Sequence, residues 1–290
     1  MKKISTRLHT AHLLMALTSV LLSCMASAQV NPYQYTINKM ANGSKGAVSS
    51  AHPLASQVGL EILKKGGNAF DAAIATQLAL AVVYPGAGNI GGGGFLVAYT
   101  NKGKAISIDY REKAPGSATR DMYLDKDGNP LLNLSQNGHL ASGVPGTVAG
   151  LFASHKYGKL GFAALIQPAI ELAEKGFTIT AAEARSLNGS KSAFEKYNTI
   201  RPAFVKKNAW KAGDTLVQKD LAATLSRIRD NGMKGFYEGE TTRLITEEMK
   251  RGGGKISLED LKNYTAAERD PIIFDYKGHT VIGMPMPSSG

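Results

Sequence analysis

The segment Asn89–Phe95 (NIGGGGF) ends sixteen residues before Arg111, which lies within Ser107–Pro115 (SIDYREKAP). Glycine has no Cβ, so four in a row let a ligand or another chain segment come close to bare backbone. A guanidinium holds a carboxylate through two parallel hydrogen bonds. Together these residues suit the capture of a small acidic molecule. Residue type alone leaves a second reading of Arg111 open, a structural ion pair with Glu112, Asp109 or a remote acid.

Other chemistry-bearing patterns have plainer explanations. Gly86, Gly88 and Gly91 match a G-x-G-x-x-G fingerprint, with Asp109 near the distance expected of a ribose-binding acid. That fingerprint needs a strand, a glycine turn and then a helix, whereas here a helical pattern precedes the glycines and a strand pattern follows. Asp125, Asp127 and Asn129 suggest a calcium loop, but Pro130 and Gln136 stand where an EF-hand requires Gly and Glu, so a polar β-turn is expected. His52, His139, His155 and His279 lack zinc-ligand spacing and read as structural. Gly143–Thr147 contains no G-x-S-x-G elbow and reads as a helix start. No metal or cofactor site is assigned.

The elements that must position Arg111 are legible from periodicity. Residues 46–50 look strand-like, and 53–65 read as a helix with Pro53 in its first turn, stopped by Gly66-Gly67. Asn68 caps a second helix, Ala69–Val83, apolar nearly all round and therefore buried. Phe95–Thr100 and Ala105–Tyr110 form an expected hairpin, with Arg111 emerging from its second strand. Helical patterns recur over 147–157, 162–175 with Pro168 interrupting or kinking it, 220–230, 241–250 and 258–263, the last behind a Ser257/Asp260 capping signal. Residues 177–213 carry weak periodicity and read as a mobile excursion, while 271–276 and 279–284 read as a closing hairpin around Lys277-Gly278.

Composition bounds the function. The 290 residues are 43% hydrophobic, enough for a sizeable core of one large or two ordinary domains. Lys2, Lys3 and Arg7, the apolar stretch 11–22 and Ala26-Ser27-Ala28 read as a cleavable export signal over residues 1–28, too short to span a bilayer. A periplasmic or secreted location and a mature segment 29–290 are expected. Cys24, the only cysteine, lies in that leader, in a sequence loosely like a lipoprotein cleavage box, so the mature segment has no thiol for catalysis, disulfides or metal. The formal charge of +11 falls to +8 without Lys2, Lys3 and Arg7, and the bases are interspersed with acids, which argues against a nucleic-acid footprint.

Five blocks, Gly46–Ser56, Lys65–Ala73, Pro85–Gly94, Asp109–Pro115 and Ser142–Gly150, together with the terminal Met284–Gly290, resemble the γ-glutamyltranspeptidase family, with Met286 replacing a proline of the family's terminal block. The resemblance implies an α/β (α+β) fold, part of a four-layer αββα N-terminal-nucleophile hydrolase sandwich that is incomplete in this chain. It implies a precursor that cuts itself, freeing a threonine that attacks γ-glutamyl amides such as glutathione and passes the γ-glutamyl group to water, an amino acid or a peptide. Matching the family's Asp-Phe-Arg-Glu block onto Asp109–Glu112 gives Arg111 the substrate's α-carboxylate, with Tyr110 as a departure. The nucleophile and oxyanion-hole glycines of the family fall beyond residue 290, so Thr265, Thr280, Ser288 and Ser289 do not substitute for them, a small-subunit partner is expected, and these residues alone are expected to be inactive. A non-catalytic binding module and an acylase of the same fold with another amide substrate are the alternative readings.

Overall fold

The computed structural model describes residues 42–289; the expected leader and Cys24 lie outside the described residues. Helix α1 (Pro53–Lys64) starts where Pro53 supplies a preset φ and His52 supplies the cap, its Nδ1 accepting from Leu54 N at 3.2 Å. An accepting Nδ1 places the ring proton on Nε2, which donates to Glu183 Oε1 at 3.1 Å. Helix α2 (Ala69–Val83) is capped reciprocally by Asn68 and Asp71. Its buried residues, among them Ile74, Leu78 and Val82, cover most of the helix, but Ala69, Ala73, Gln77 and Leu80 form a stripe that is not buried, because an apolar residue is buried only where another element packs on it.

Strands β1 (Phe95–Tyr99) and β2 (Ala105–Asp109) pair antiparallel, Phe95 opposite Asp109 and Tyr99 opposite Ala105. A five-residue helix α3 (Leu132–Gln136) and a 3-10 turn (His139–Ala141) lead to α4 (Thr147–His155) and α5 (Phe162–Lys175). Helix α5 runs through Pro168, which cannot donate a backbone hydrogen bond to the preceding turn. Helix α2 packs against α1, α4 and α5.

Beyond α5, a two-residue pair of β3 (Phe177–Thr178) and β4 (Thr215–Leu216) brackets α6 (Ala181–Tyr197). A 17-residue helix therefore stands where an irregular excursion was expected. Only Ala184 and Leu187 of α6 are buried, so its apolar stripe is too short to register as a period, and the Thr180/Glu183 capping box defines its start. Next come α7 (Lys219–Asn231), α8 (Lys234–Tyr237), α9 (Gly239–Gly252) and α10 (Leu258–Lys262), the last with the expected Ser257/Asp260 box.

Strand β5 (Ala267–Arg269) joins the free edge of β2, giving the order β1-β2-β5. Strands β6 (Ile272–Tyr276) and β7 (His279–Gly283) form the expected hairpin, with positive φ at both Lys277 and Gly278 as a tight primed turn requires. Residues 46–50, expected as a strand, belong to no ladder among the described residues. An apolar-leaning segment needs a hydrogen-bonding neighbour to be a strand, and composition does not supply one. Among the described residues no helix is long and apolar enough to cross a membrane.

The start of α2 is tied to the α4–α5 connection through Asp71, which is fully buried. Its carboxylate accepts from Asn68 N at 2.8 Å, Lys159 N at 2.9 Å and Leu160 N at 3.3 Å, while Asn68 Nδ2 donates to Tyr157 O at 2.6 Å. A Cβ on Gly158 would lie 2.4 Å from Asp71 Oδ1, so glycine is required for this approach. Hydrogen bonds to a charged group contribute more than neutral ones, and their loss leaves amide donors unpaired. Asp71→Ala is expected to lower stability by about 3 kcal/mol, read as a shifted midpoint in urea unfolding.

Candidate functional site

Arg111 leaves the end of β2 with an exposed side chain. Its neighbour Asp109 is buried, and Asp109 Oδ2 receives Arg269 Nε at 2.8 Å and Nη2 at 2.7 Å from β5. Asp109 Oδ1 accepts the backbone N–H of Arg111 at 3.0 Å. The acid that could have neutralised Arg111 is thus held by another arginine. Among the described residues Arg111 forms no ion pair, and its guanidinium makes one long hydrogen bond, Nη1 to Pro287 O at 3.4 Å. The ion pair with Glu112, Asp109 or a remote acid is not formed among the described residues.

The glycine run serves chain packing. A Cβ on Gly93 would lie 2.5 Å from Tyr110 O and 2.7 Å from Glu112 N, and one on Gly94 would lie 2.8 Å from the Tyr110 ring. Gly94 and Tyr110 exchange backbone hydrogen bonds at 3.0 and 3.3 Å, extending the β1–β2 ladder to the residue before Arg111. Gly92 O accepts from Gly146 N at 2.7 Å and Thr147 N at 3.0 Å, so the start of α4 rests on the same run. Asn89 Oδ1 completes the arrangement, accepting from Gly92 N and Thr147 Oγ1. Only Gly91 has open space where a side chain would be, and it borders the concavity into which Arg111 opens.

Two tyrosines support the arginine from behind. The ring of Tyr110 is buried against Gly150 of α4, whose Cβ would fall 2.1 Å from it. Its hydroxyl donates to Gln77 Oε1 or Phe95 O, each at 3.3 Å, so this departure from phenylalanine finds a polar partner. Burial pushes the Tyr110 phenol up, and the Gln77 bond opposes that shift. Tyr264 Oη donates to Arg111 O at 2.7 Å. Burial, with the nearby carboxylates of Asp109 and Glu112, pushes Tyr264 up to about 12, which keeps it a neutral donor at ordinary pH. The Tyr264 ring stacks parallel to Tyr237 with centroids 5.9 Å apart, and Tyr237 Oη donates to Pro145 O at 2.9 Å.

The concavity encloses about 660 Å³, and Arg111, Lys113 and Arg120 outnumber the single carboxylate, Glu112, in its lining. Such a lining favours anions, and the exposed, acid-free fork of Arg111 is the group in it suited to two-point carboxylate binding. The other candidates fall elsewhere. His52, His139 and His155 bond to Glu183, Glu248 and Leu160 O. Asp125 closes the expected polar turn by accepting from Asp127 N, Asn129 N and Asn129 Nδ2. Tyr237, Tyr264 and Arg269 escaped the sequence reading because they stand far along the chain from Arg111, in no motif and on no shared periodicity.

The described geometry has counterparts in known proteins. The model of the family described as "Gamma-glutamyltranspeptidase" matches residues 55–290. The glutathione hydrolase proenzyme of Pseudomonas sp. (strain A14) is 48% identical over 248 residues, 84% of this chain and 43% of that protein. The glutathione hydrolase proenzyme of Escherichia coli (strain K12) is 44% identical over 275 residues, 92% of this chain and 47% of that protein. The crystal structure of Helicobacter pylori gamma-glutamyltranspeptidase superposes with a TM-score of 0.84 at 48% identity, covering 86% of this chain and 72% of that one. The chain spans less than half the length of these two curated relatives.

Removing the hydroxyl of Tyr264 leaves its ring stacking intact and deletes one neutral hydrogen bond. Tyr264→Phe is expected to lower stability by about 1 kcal/mol, measured as a small fall in Tm without loss of cooperativity.

Proposed function

That this chain belongs to the γ-glutamyltranspeptidase family is the premise from which we propose its function: the protein containing it cleaves γ-glutamyl amides such as glutathione and passes the γ-glutamyl group to water or to an amino acid or peptide. Within that reaction the part of these residues is recognition. Arg111 receives the α-carboxylate of the γ-glutamyl group in a two-point contact. The observation that carries the assignment is the exposed guanidinium without a carboxylate partner among the described residues, on a cation-lined concavity, while its neighbour Asp109 is held by Arg269.

Recognition at this point orients the substrate as well as binding it. A bidentate contact fixes direction, and the backbone of Arg111 is itself fixed by Asp109 at its N–H and Tyr264 at its carbonyl. The reacting amide carbonyl of a γ-glutamyl compound lies at the far end of the side chain from that carboxylate. A rigid carboxylate anchor therefore sets where the carbonyl meets a nucleophile. In the proposed enzyme the nucleophile is a threonine freed by self-cleavage, carried on a small-subunit partner from the same precursor. Residues 1–28 act as an export signal, which places the protein in the periplasm or outside the cell.

An acylase with a glutaryl substrate is the competing reading within the same fold. A glutaryl group keeps the terminal carboxylate of a γ-glutamyl group and lacks only its α-amine, so the free arginine fork of Arg111 suits either substrate and recognition of the amine is what separates them. Arg111→Lys replaces the fork by a point charge. In the whole protein this variant is expected to raise KM for a γ-glutamyl anilide about tenfold or more with a smaller effect on kcat, a loss of roughly 1.4 kcal/mol of binding. Unchanged KM and kcat would overturn the carboxylate role of Arg111, and faster cleavage of a glutaryl than a γ-glutamyl anilide by the parent protein would overturn the γ-glutamyl reading.

A further inference from the structure

One wall of the Arg111 concavity is Ala141–Gly143, the stretch leaving the 3-10 turn His139–Ala141. This wall presses on the segment that carries the arginine. A Cβ on Gly143 would lie 2.9 Å from Glu112 Cβ and 3.2 Å from Lys113 O, and Val144 and Lys113 exchange backbone hydrogen bonds at 2.8 and 3.2 Å. Movement of the wall therefore moves Glu112 and Lys113, the residues immediately after Arg111.

The wall has one strong tie to a remote part of the fold. His139 Nε2 lies 2.7 Å from Glu248 Oε1 on α9, with the imidazole only 11% exposed. The ring fits a slot left by glycines at the end of that helix: a Cβ on Gly252 would fall 2.1 Å from His139 Nδ1, and one on Gly254 would lie 3.0 Å from His139 Cβ. Glu248 is itself fixed by Thr199 N at 3.1 Å, Thr199 Oγ1 at 2.5 Å and Arg251 Nη2 at 2.7 Å. Burial raises the pKa of Glu248, but its hydrogen bonds, from Thr199, His139 and Arg251, outweigh that and hold it at about 2, so it is a carboxylate acceptor across the working range. A second tie, Tyr123 Oη to Leu140 O at 2.9 Å, comes from within the concavity lining and does not reach α9.

We infer that His139 is a positioning residue for the reaction: its bond to Glu248 anchors the Ala141–Gly143 wall to α9, and through Gly143 and Val144 holds the Glu112–Lys113 segment that presents Arg111. The inference rests on the carboxylate-binding role proposed for Arg111. The path uses only side-chain and backbone contacts that join α9 to the concavity, and it assigns a role to a histidine that touches neither substrate nor any group of the reaction.

The test compares variants of the whole protein on a γ-glutamyl anilide. His139→Ala is expected to raise KM about fivefold while kcat changes by less than about twofold. His139→Gln, whose amide can still donate to Glu248, is expected to recover most of the affinity. If the alanine variant fails to fold, His139→Asn, too short to reach Glu248, takes its place. A KM equal to that of the parent in a variant that melts normally overturns the inference, as does an equal fall in kcat or a glutamine variant no better than alanine. Arg111→Lys, run alongside, separates the two ideas: if it leaves KM unchanged the carboxylate role fails, and if it raises KM while His139→Ala does not, only the positioning role fails.

Discussion

The close apposition of three backbone segments, Gly92–Gly94, Tyr110–Lys113 and Val144–Thr147, is the constraint on which the site depends. Side chains on Gly93 or Gly146 would place a Cβ within about 2.5 Å of backbone atoms in the central segment, a contact that forces the backbones apart. With glycine there, Gly92 O can cap two amides at the start of α4, and Gly94 can extend the β1–β2 ladder as far as Tyr110. Arg111 follows immediately. Its position is therefore fixed by hydrogen bonds on both sides of its own peptide units, while its side chain is left to solvent.

The same region shows how a folded chain leaves one cation available. Acids and bases close in sequence are expected to pair, and Asp109 and Arg111 are two residues apart. Strand β2 is buried on both faces at its Asp109 end, where β5 brings Arg269, while Arg111 lies beyond the strand with its side chain exposed. A buried acid pairs with a cation because an unpaired buried charge is costly, so the Asp109–Arg269 contact has the stronger demand. Arg111 is freed as a by-product of satisfying Asp109.

Behind the site, rigidity comes from two carboxylates, buried Asp71 and half-buried Glu248, that each accept several hydrogen bonds. Asp71 anchors the all-round apolar helix α2 to the connection between α4 and α5, and α4 in turn carries Gly146 and Gly150, which receive Tyr110. Glu248 does the same for α9 and the wall beside the site. In each case a carboxylate accepts several N–H or O–H donors from segments distant in sequence, an arrangement that specifies one geometry more sharply than apolar contact does.

The sequence by itself determined much of this protein. Periodicity, capping and turn residues placed α1, α2, α5 and α10, the closing hairpin around Lys277-Gly278 and the hairpin that delivers Arg111, because those signals are local and repeat within one element. The blocks from Gly46 to Gly150 pointed to the family, and the arginine fork pointed to a carboxylate. Tertiary structure alone decided that Gly93 and Gly94 receive another segment of the chain, that Asp109 belongs to Arg269, and that Tyr264 and His139 support the site. It also withheld a ladder from residues 46–50 and built α6 where periodicity was faint. The physical reason is common to these cases: propensity and spacing describe a residue's neighbours along the chain, whereas the partner of a charge, the contact of a glycine and the pairing of a strand are set by segments that only folding brings within hydrogen-bond distance.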